Sequence, residues 1–500
     1  MNKKLLVAAC ISMVLLSILM PFSVAAENQS SNEIPSKFDL RELGMVSSVK
    51  DMGSFPFCWA YASIASMESN ALMQGFNEFD LSEYSAAYIS YFNSETAPLS
   101  IKDEGLLPYA GSRWTTNGGS PWFVASAFMS GYALIEEKDD YYINNKGNDF
   151  RFSLNGNLFL DSCYTVPVSD SDTIKKLVMN NGAVVIEIYY DGLIDMKYNK
   201  NSNVYVPKEG NTISHCVAIV GWDDDYDASN FAQTSPGNGA WIIKNSYGKY
   251  DGKEGYYYIS YYDACFSLAR NAYSFVVKNT QSFNKVYQYD GSRGALAIDN
   301  TDGVAINFTT ENHEDLTGVR IWPKITADTK EFIGSKATIS VYTGSVTDED
   351  HKLLYTQDYD IVYAGYQTVE FDRAVRLEKD MSYNIEISFD KPISYSMDGN
   401  YMPKNEEYLL AEFVASANPN ETYVKTAGEK QWLDAYENIV NDTPCSACIK
   451  ALSRTLLPTE YLPFRAIKIA AYGGFALTVI AISIFAIITI KTKKNKQENI

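Results

Sequence analysis

The sequence is poor in positive charge, with 42 Lys and Arg residues against 61 Asp and Glu residues over 500 positions. Because a protein that binds nucleic acid needs a basic face, the net charge of −19 argues against a nucleic-acid partner. Histidine is scarce as well, with three residues, and the sequence contains no internal repeat and no low-complexity tract. The apolar fraction of 46% and the charged fraction of 21% are typical of globular protein and exclude general disorder.

Cysteine occurs seven times but in no dense disulfide framework. Cys10 falls in the N-terminal apolar segment, and the remaining six are Cys58, Cys163, Cys216, Cys265, Cys445 and Cys448. The last two form a lone C-x-x-C pair with no second pair or nearby histidine, which favours a local disulfide or two free thiols over zinc. Asp223, Asp225 and Asp227 alternate like the start of a calcium loop, but the glycine and distal glutamate of such a loop are missing. We therefore expect no metal ion and no cofactor.

Apolar runs occur at both ends of the sequence. Residues 1–26 are typical of a secretion signal, with two lysines before the apolar stretch and small residues at Val24-Ala-Ala26. Residues 469–490 hold no charged side chain over 22 positions, enough for a helix to cross a hydrocarbon core of about 30 Å. Lysines then follow in residues 491–500, which favours a cytoplasmic tail. These patterns predict an extracytoplasmic, single-pass membrane protein with its C-terminus inside.

Between the ends, the residue pattern changes near position 278. Residues 34–277 combine helical stripes with later strand-like runs, which predicts an α+β domain with two lobes. Residues 282–438 alternate apolar and polar residues in short segments between turns, which predicts an all-β sandwich. Residues 439–468 are interpreted as a connector to the predicted membrane helix.

Cys58 differs from the other cysteines in its neighbours, Ser54-Phe-Pro-Phe-Cys-Trp-Ala-Tyr-Ala62, and a helical stripe begins there. A cysteine in the first turn of a helix lies in the positive field of the N-terminus, which favours the nucleophilic thiolate. On this segment alone, a buried structural cysteine is an equally good interpretation. His215 starts an apolar strand, and Asn245 follows thirty residues later. A thiol nucleophile needs an imidazole to take its proton and an amide or carboxylate to orient that imidazole.

In order and separation, these three residues resemble the catalytic triad of papain-like cysteine peptidases. The resemblance runs from about residue 34 to 275, and further motifs support it: Ile34-Pro-Ser-Lys-Phe-Asp-Leu-Arg41, Leu81-Ser-Glu83, Asn117-Gly-Gly-Ser-Pro-Trp122, Trp241-Ile-Ile-Lys-Asn-Ser-Tyr-Gly248 and Gly252-Lys-Glu-Gly-Tyr256. It implies a helical lobe and a β-barrel-like lobe. It also implies that Asn117, Gly118 and Gly119 bind substrate in the cleft, and that Tyr247 takes the place of a tryptophan that shields the His–Asn contact.

The sequence departs from the papain pattern at the oxyanion position. The family has a glutamine six residues before the nucleophile, whose amide donates to the oxyanion, and here that residue is Met52. A thioether donates no hydrogen bond, which leaves the Cys58 backbone N–H as the assured donor and Ser54 as a neighbouring substitute. Two functions stay open: a cysteine endopeptidase that acts through a thioester acyl-enzyme, and an impaired pseudo-peptidase that binds peptide or glycan.

The strand-rich segment resembles the lectin-like domain found beside such peptidases in prokaryotic surface proteins. Two stretches resemble that subgroup of surface proteins: Trp222-Asp-Asp-Asp-Tyr-Asp-Ala-Ser-Asn-Phe231, in the peptidase-like segment, and the stretch from Tyr287 to Trp322. The resemblance implies a cell-surface carbohydrate as a partner besides a peptide or protein substrate. A spacer or substrate-positioning module is the alternative.

Overall fold

The computed structural model describes residues 33–91, 105–108, 113–139, 156–208, 213–268, 270–291, 294, 296–325, 334–349, 351–400, 411–437 and 443–461. The chain divides into two units, residues 1–35 and Ser36–Ile500, and the described part of the first has no regular secondary structure. The predicted signal (1–26), membrane helix (469–490) and tail (491–500) lie outside the described residues. In the part that is described, no helix is both long and apolar enough to span a membrane.

A buried helix, α1, forms the centre of the first domain. It begins at Cys58, and small or apolar residues on all its sides allow nearly every residue from Trp59 to Ala71 to be buried. Strands β7 (Ile213–Asp223) and β10 (Asn271–Lys278) pack against it, as do helices α2 and α3. The helices are α1 (Cys58–Met73), α2 (Glu83–Tyr91), α3 (Pro121–Phe128), α4 (Ser171–Asn181), α5 (Asp191–Ile194) and α6 (Pro458–Tyr461), with 3-10 turns at Trp114–Thr116, Glu137–Asp139, Ala228–Asn230 and Ala264–Ser267.

The strands of the first domain form the second lobe. They are β1 (Lys37–Asp39), β2 (Gly105–Pro108), β3 (Phe159–Pro167), β4 (Val184–Tyr189), β5 (Asn199–Lys200), β6 (Asn203–Val204), β7, β8 (Ala240–Lys244), β9 (Tyr256–Ser260) and β10. Their main sheet has the order β3-β10-β4-β7-β8-β9-β6-β5, with β1 paired to β7. In the described residues this path does not close on itself. The lobe predicted to be barrel-like is therefore an open sheet there.

The second domain is all β, as predicted. Its strands are β11 (Lys285–Tyr287), β12 (Leu296–Thr309), β13 (Glu314–Ile321), β14 (Pro323–Lys324), β15 (Ser335–Thr343), β16 (Leu353–Ile361), β17 (Ala364–Leu377), β18 (Ser382–Gly399), β19 (Ala411–Val414), β20 (Thr422–Thr426), β21 (Leu433–Asp434), β22 (Cys445–Ala447) and β23 (Lys450–Thr455). One layer has the order β16-β15-β18-β12-β20-β21, and the other has the order β11-β23-β13-β17. Apolar side chains from both layers share one buried core.

Strands β22 and β23 lie in the segment 439–468, which was predicted to be a connector. β22 pairs with β18, and β23 pairs with β11 and β13. The predicted boundary at residue 438 therefore falls inside the all-β domain. Polar residues in β23 obscured the strand pattern, because Lys450 is buried and its Nζ lies 2.6 Å from the carboxylate of buried Asp290.

The two domains are joined by a shared sheet. β17 pairs with β3 through three residue pairs, and β19 pairs with β2. Arg320 of β13 is buried and reaches across this junction, where its guanidinium donates to the carbonyl oxygens of Met129 and, at 3.0 Å, of Leu160. Because backbone hydrogen bonds and a buried cation link the halves, the second domain completes the packing of the first.

Candidate active site

Cys58 is presented at the first residue of α1, and its side chain is partly exposed. The preceding residue, Phe57, forms no side-chain cap. No capping side chain therefore neutralises the partial positive charge of the backbone N–H groups in the first turn. Phe57 instead stacks on Phe55 at 5.3 Å and on Trp114 at 5.6 Å between ring centroids. An aromatic cluster thus fixes the segment that delivers the thiol.

His215 and Asn245 lie together on neighbouring strands. His215 belongs to β7 and Asn245 follows β8, its antiparallel neighbour. The His215 Nε2 and Asn245 Oδ1 atoms are 2.7 Å apart, and both residues are buried. The His215 ring stacks on Tyr247, with centroids 5.2 Å apart and planes 5° apart, and contacts Tyr190 at 5.6 Å. These two rings pack against the imidazole of His215.

The Cys58 thiol and the His215 imidazole shift each other's pKa in opposite directions. The largest influence on the Cys58 thiol is the interaction with Cys216, which lowers its pKa. The hydrogen bond and positive charge of His215 lower this pKa further, whereas burial raises it. Burial acts to lower the pKa of His215, but the hydrogen bond and charge of Cys58 outweigh it and raise that pKa. The arrangement therefore favours a thiolate beside an imidazolium.

Cys216 is a second thiol beside Cys58, which the sequence did not single out. Interactions with the Cys216 thiol and backbone N–H act to lower the pKa of Cys58. The same contact, together with burial, raises the pKa of Cys216 well above its ordinary value, so this thiol keeps its proton and donates it. The six described cysteines, these two included, are free thiols.

Asp251 is a further partner that the sequence motifs did not reveal. Its Oδ2 atom accepts a hydrogen bond of 2.8 Å from Asn245 Nδ2. Its Oδ1 atom accepts another of 2.8 Å from the Tyr257 hydroxyl. A polar chain therefore continues from the imidazole through the amide to a carboxylate.

Met52 occupies a buried position beside the site. Its backbone N–H donates to Ser246 O at 2.9 Å, and its Sδ atom accepts from Ser246 Oγ at 3.6 Å. The side chain is 7% exposed. The thioether is therefore an acceptor here, and the backbone N–H is the one hydrogen-bond donor that Met52 has.

The Asn117–Gly119 segment lies against α1 and α2. Asn117 Nδ2 lies 3.0 Å from the Tyr91 hydroxyl, which donates to Gly118 O. A Cβ atom on Gly119 would lie 2.3 Å from the Trp59 ring, so only glycine fits at this backbone position. The segment is thereby held against the helix that carries Cys58.

A buried carboxylate also borders the thiols. Glu187 of β4 lies opposite Cys216 in the sheet. Its oxygens accept from Arg270 at 3.1 Å and from Ser120 at 3.4 Å. Burial raises the pKa of Glu187, and Arg270 acts against that effect. Sequence reasoning missed this residue because it lies in a strand of otherwise apolar pattern.

The acidic loop and the C-x-x-C pair take local structural roles. Asp223 and Asp227 accept backbone N–H groups within their own turns, at 3.1 and 2.7 Å. Cys445 and Cys448 are buried thiols in the all-β domain. Within the described ranges, no group of three or more His, Cys, Asp or Glu side chains is arranged to hold a metal ion.

Comparison with protein families divides the chain at the same place as the fold. The family described as papain family cysteine protease matches residues 34–276, and the family described as lectin like domain matches residues 286–453. A low-temperature-induced cysteine proteinase of Solanum lycopersicum is 29% identical over 228 residues, which cover 45% of this chain and 56% of the relative. A cathepsin L-like proteinase of Fasciola hepatica is 25% identical over 231 residues, which cover 45% of this chain and 60% of the relative. The chain thus spans little more than half of these relatives.

A solved structure reproduces the two-domain arrangement. The cysteine protease and lectin-like domains of Cwp84, a surface layer associated protein of Clostridium difficile, align with a TM-score of 0.66 and 21% identity, covering 84% of this chain and 89% of that one. A structure of the same clostridial protease after propeptide cleavage gives a TM-score of 0.65, again at 21% identity, and covers 84% of this chain and 100% of that one. At this identity the likeness shows a shared fold.

Proposed function

Since the chain carries a papain-family cysteine protease domain joined to a lectin-like domain, we propose that it hydrolyses peptide bonds through Cys58, His215 and Asn245. The observation that carries this proposal is the contact of 2.7 Å between His215 Nε2 and Asn245 Oδ1, next to a Cys58 thiol whose pKa is lowered by Cys216 and His215. A protein that only binds has no physical need for a thiolate beside an imidazolium.

The proposed reaction assigns one role to each of the three side chains. The Cys58 thiolate attacks the scissile carbonyl, and the His215 imidazolium protonates the leaving amine, which gives a thioester. The imidazole then takes a proton from water, whose oxygen attacks the thioester and releases the acid. Asn245 accepts from Nε2–H and keeps the other ring nitrogen directed at the sulfur.

Met52 supports the alternative function, an impaired peptidase that binds peptide or glycan. Its buried thioether accepts from Ser246 and offers no donor to an oxyanion. Loss of one oxyanion donor costs about 100- to 1,000-fold in rate. We therefore propose a peptidase that is slow for its fold, with the Cys58 backbone N–H as the first oxyanion donor.

We also propose an extracytoplasmic location, with residues 469–490 as a membrane anchor and the lectin-like domain as a carbohydrate-recognition module. The clostridial protein that shares this fold is associated with a surface layer, which supports the location. The apolar run and the lysines that follow it support the anchor. Protease accessibility on intact cells tests the location, because an exposed second domain is digested and a cytoplasmic one is protected.

Alkylation of Cys58 tests the proposed chemistry. With iodoacetamide near pH 6, we expect rapid modification of Cys58, located by peptide mass spectrometry, and about 100-fold slower modification in His215→Ala, because an isolated thiol is largely protonated at this pH. His313→Ala is the matched control, since His313 lies in the second domain. Turnover of a fluorogenic peptide library must accompany this reactivity. Rapid alkylation without turnover in any peptide decides for the binding function.

A further inference from the structure

A carboxylate lies directly behind the amide of Asn245. Asp251 Oδ2 is 2.8 Å from Asn245 Nδ2, on the side of the amide opposite His215. An amide can rotate by half a turn and exchange its oxygen and nitrogen with little change in shape. Only its hydrogen-bond partners therefore determine which end faces the imidazole.

The chemistry of Asp251 decides between these two orientations. An ionised carboxylate only accepts hydrogen bonds, so it binds the NH2 end of Asn245 and leaves Oδ1 facing His215. That oxygen can accept a hydrogen bond from Nε2–H but cannot donate one, so the ring proton is held at Nε2. The other ring nitrogen, Nδ1, is then free to exchange a proton with the Cys58 sulfur. The reversed amide would place a donor at Nε2 and favour the opposite tautomer.

The loop that carries Asp251 is itself constrained. Tyr257 donates to Asp251 Oδ1 at 2.8 Å, and Asp251 O accepts from Gly255 N at 2.7 Å. Asn245 N donates to Gly255 O at 2.9 Å, which closes the loop against the residue that it supports. Gly255 has a φ of +88°, and a Cβ there would lie 2.4 Å from Val49. The carboxylate is therefore built into the fold rather than left on a free side chain.

We propose that Asp251 is a positioning residue that fixes the Asn245 amide, and through it the His215 tautomer and the imidazolium charge. This inference rests on the proposed peptidase function and adds a fourth member to its hydrogen-bonded series. The titratable groups that face His215 are Cys58 from α1, Tyr190 after β4, and Tyr247 and Asp251 from the β8–β9 loop. Among them, Asp251 is the carboxylate.

Asp251→Asn and Asp251→Ala test this role, with Glu254→Gln as the matched control. Glu254 lies in the same loop and is exposed, so its variant removes the same charge without touching Asn245. For both Asp251 variants we expect kcat to fall about 10- to 100-fold with KM nearly unchanged, because the base is misplaced and not the substrate. Asp251→Ala has the larger effect, since Asp251→Asn can still accept from Asn245.

The pH dependence separates positioning from a structural defect. Loss of the negative charge destabilises the imidazolium, so we expect the basic limb of turnover to move to lower pH by about one pH unit. The acidic limb of Cys58 alkylation moves to lower pH as well, by a smaller amount, because Cys58 loses its proton while His215 is still protonated and a nearby negative charge no longer repels the thiolate. Thermal melts identify any unfolded variant. If Asp251→Ala does not fold, Asp251→Asn alone tests the positioning role.

The outcomes distinguish this inference from the proposed function. If wild type turns over peptide and Asp251→Asn keeps the wild-type kcat and both pH limbs, the positioning role is wrong and the peptidase function stands. If wild type has no turnover, the peptidase function fails. The pH dependence of Cys58 alkylation then still tests the positioning role of Asp251, because it reports the state of Cys58 and His215 without any substrate.

Discussion

At the scale of single residues, Met52 separates the two functions proposed for this chain. Its side chain accepts a hydrogen bond from Ser246, and in the proposed function it takes the position of the papain-family amide donor. We expect Met52→Gln to raise kcat about 100-fold, because a glutamine amide can donate to the oxyanion as charge develops there. Initial rates on a peptide identified in the library measure the change.

The control for this substitution is Met52→Leu, which also loses the contact with Ser246 but gains no donor. We expect its rate to equal that of wild type within a few fold. Equal rates for the glutamine and leucine variants would contradict the oxyanion explanation. Turnover that appears in Met52→Gln alone would show that the natural chain is a pseudo-peptidase.

The sequence predicts Cys58, His215 and Asn245 as a triad, but it does not point to Cys216 or Asp251. Strict alternation along a strand places consecutive residues such as His215 and Cys216 on opposite faces, so alternation alone does not place Cys216 beside Cys58. The register shifts next to His215, where Ile188 pairs with His215 and Tyr189 pairs with Ile213. Such a bulge re-aims neighbouring side chains, and one sequence gives no signal for it.

Asp251 was missed for a different reason. It lies between two segments that resemble family motifs, residues 241–248 and 252–256, and neither motif includes it. Its contact with Asn245 depends on how residues 248 to 255 fold back between β8 and β9. Loop conformations of this kind follow from many local hydrogen bonds and are not encoded in a period.

At the scale of secondary-structure elements, a buried charge cluster joins α1, α2 and the segment before Cys58. Lys50 Nζ lies 2.9 Å from Glu68, 2.8 Å from Asp80 and 2.8 Å from Glu83. Lys244, next to Asn245, reaches the same region through Ser47 O at 3.0 Å. The cluster therefore anchors the strand end that holds Asn245 as well as the helices.

Glu83 gives this cluster a pH dependence. Burial is the main cause that raises the pKa of Glu83 to about 7, and Lys50 opposes it. The folded protein thus binds a proton that the unfolded chain releases near pH 4.5. The contribution of Glu83 to the free energy of unfolding is therefore greatest below pH 4.5. It falls by up to about 3 kcal/mol as the pH rises to about 7.

We expect Glu83→Gln to flatten this slope, because a glutamine does not titrate. Urea unfolding between pH 5 and pH 7.5 measures the free energy of unfolding for wild type and variant. Asp80→Asn is the control, since its side chain contacts the same lysine but is 64% exposed. A Glu83→Gln slope as steep as that of wild type would assign the dependence to other groups.

The element pattern was largely predictable, and its exceptions share one cause. The buried helix at Cys58 and the alternating strands of the second domain followed directly from apolar periodicity. The strand β23 did not, because a buried ion pair replaces part of its apolar face. Apolar periodicity indicates buried apolar residues, but it gives no signal for polar residues that are buried as pairs.

At the scale of the whole molecule, Arg320 holds the two domains together. It is buried, and burial lowers its pKa to about 10. Its guanidinium donates to Met129 O, to Leu160 O and to Thr368 Oγ1, the last at 3.1 Å. Removing it leaves buried acceptors without donors, each at a cost of about 1–3 kcal/mol.

We therefore expect Arg320→Ala to lower the free energy of unfolding by about 3 kcal/mol or more. Denaturant unfolding followed by tryptophan fluorescence measures it. Arg373→Ala is the control, because Arg373 is exposed and surface changes of this kind stay within about 0.5 kcal/mol. Equal stability of the two variants would mean that the domains are joined by the sheet alone.

The shared sheet also delays the pairing of one strand during synthesis of the chain. Thr368 reaches Asp161 across 207 positions of the chain, and chains grow at about 5 to 20 residues per second. The edge of β3 therefore waits about 10 to 40 seconds for its partner β17 to be made. During that interval the edge is open to strands of other nascent chains. A product truncated before residue 364 keeps this edge permanently bare, so it is expected to aggregate instead of acting as a free peptidase.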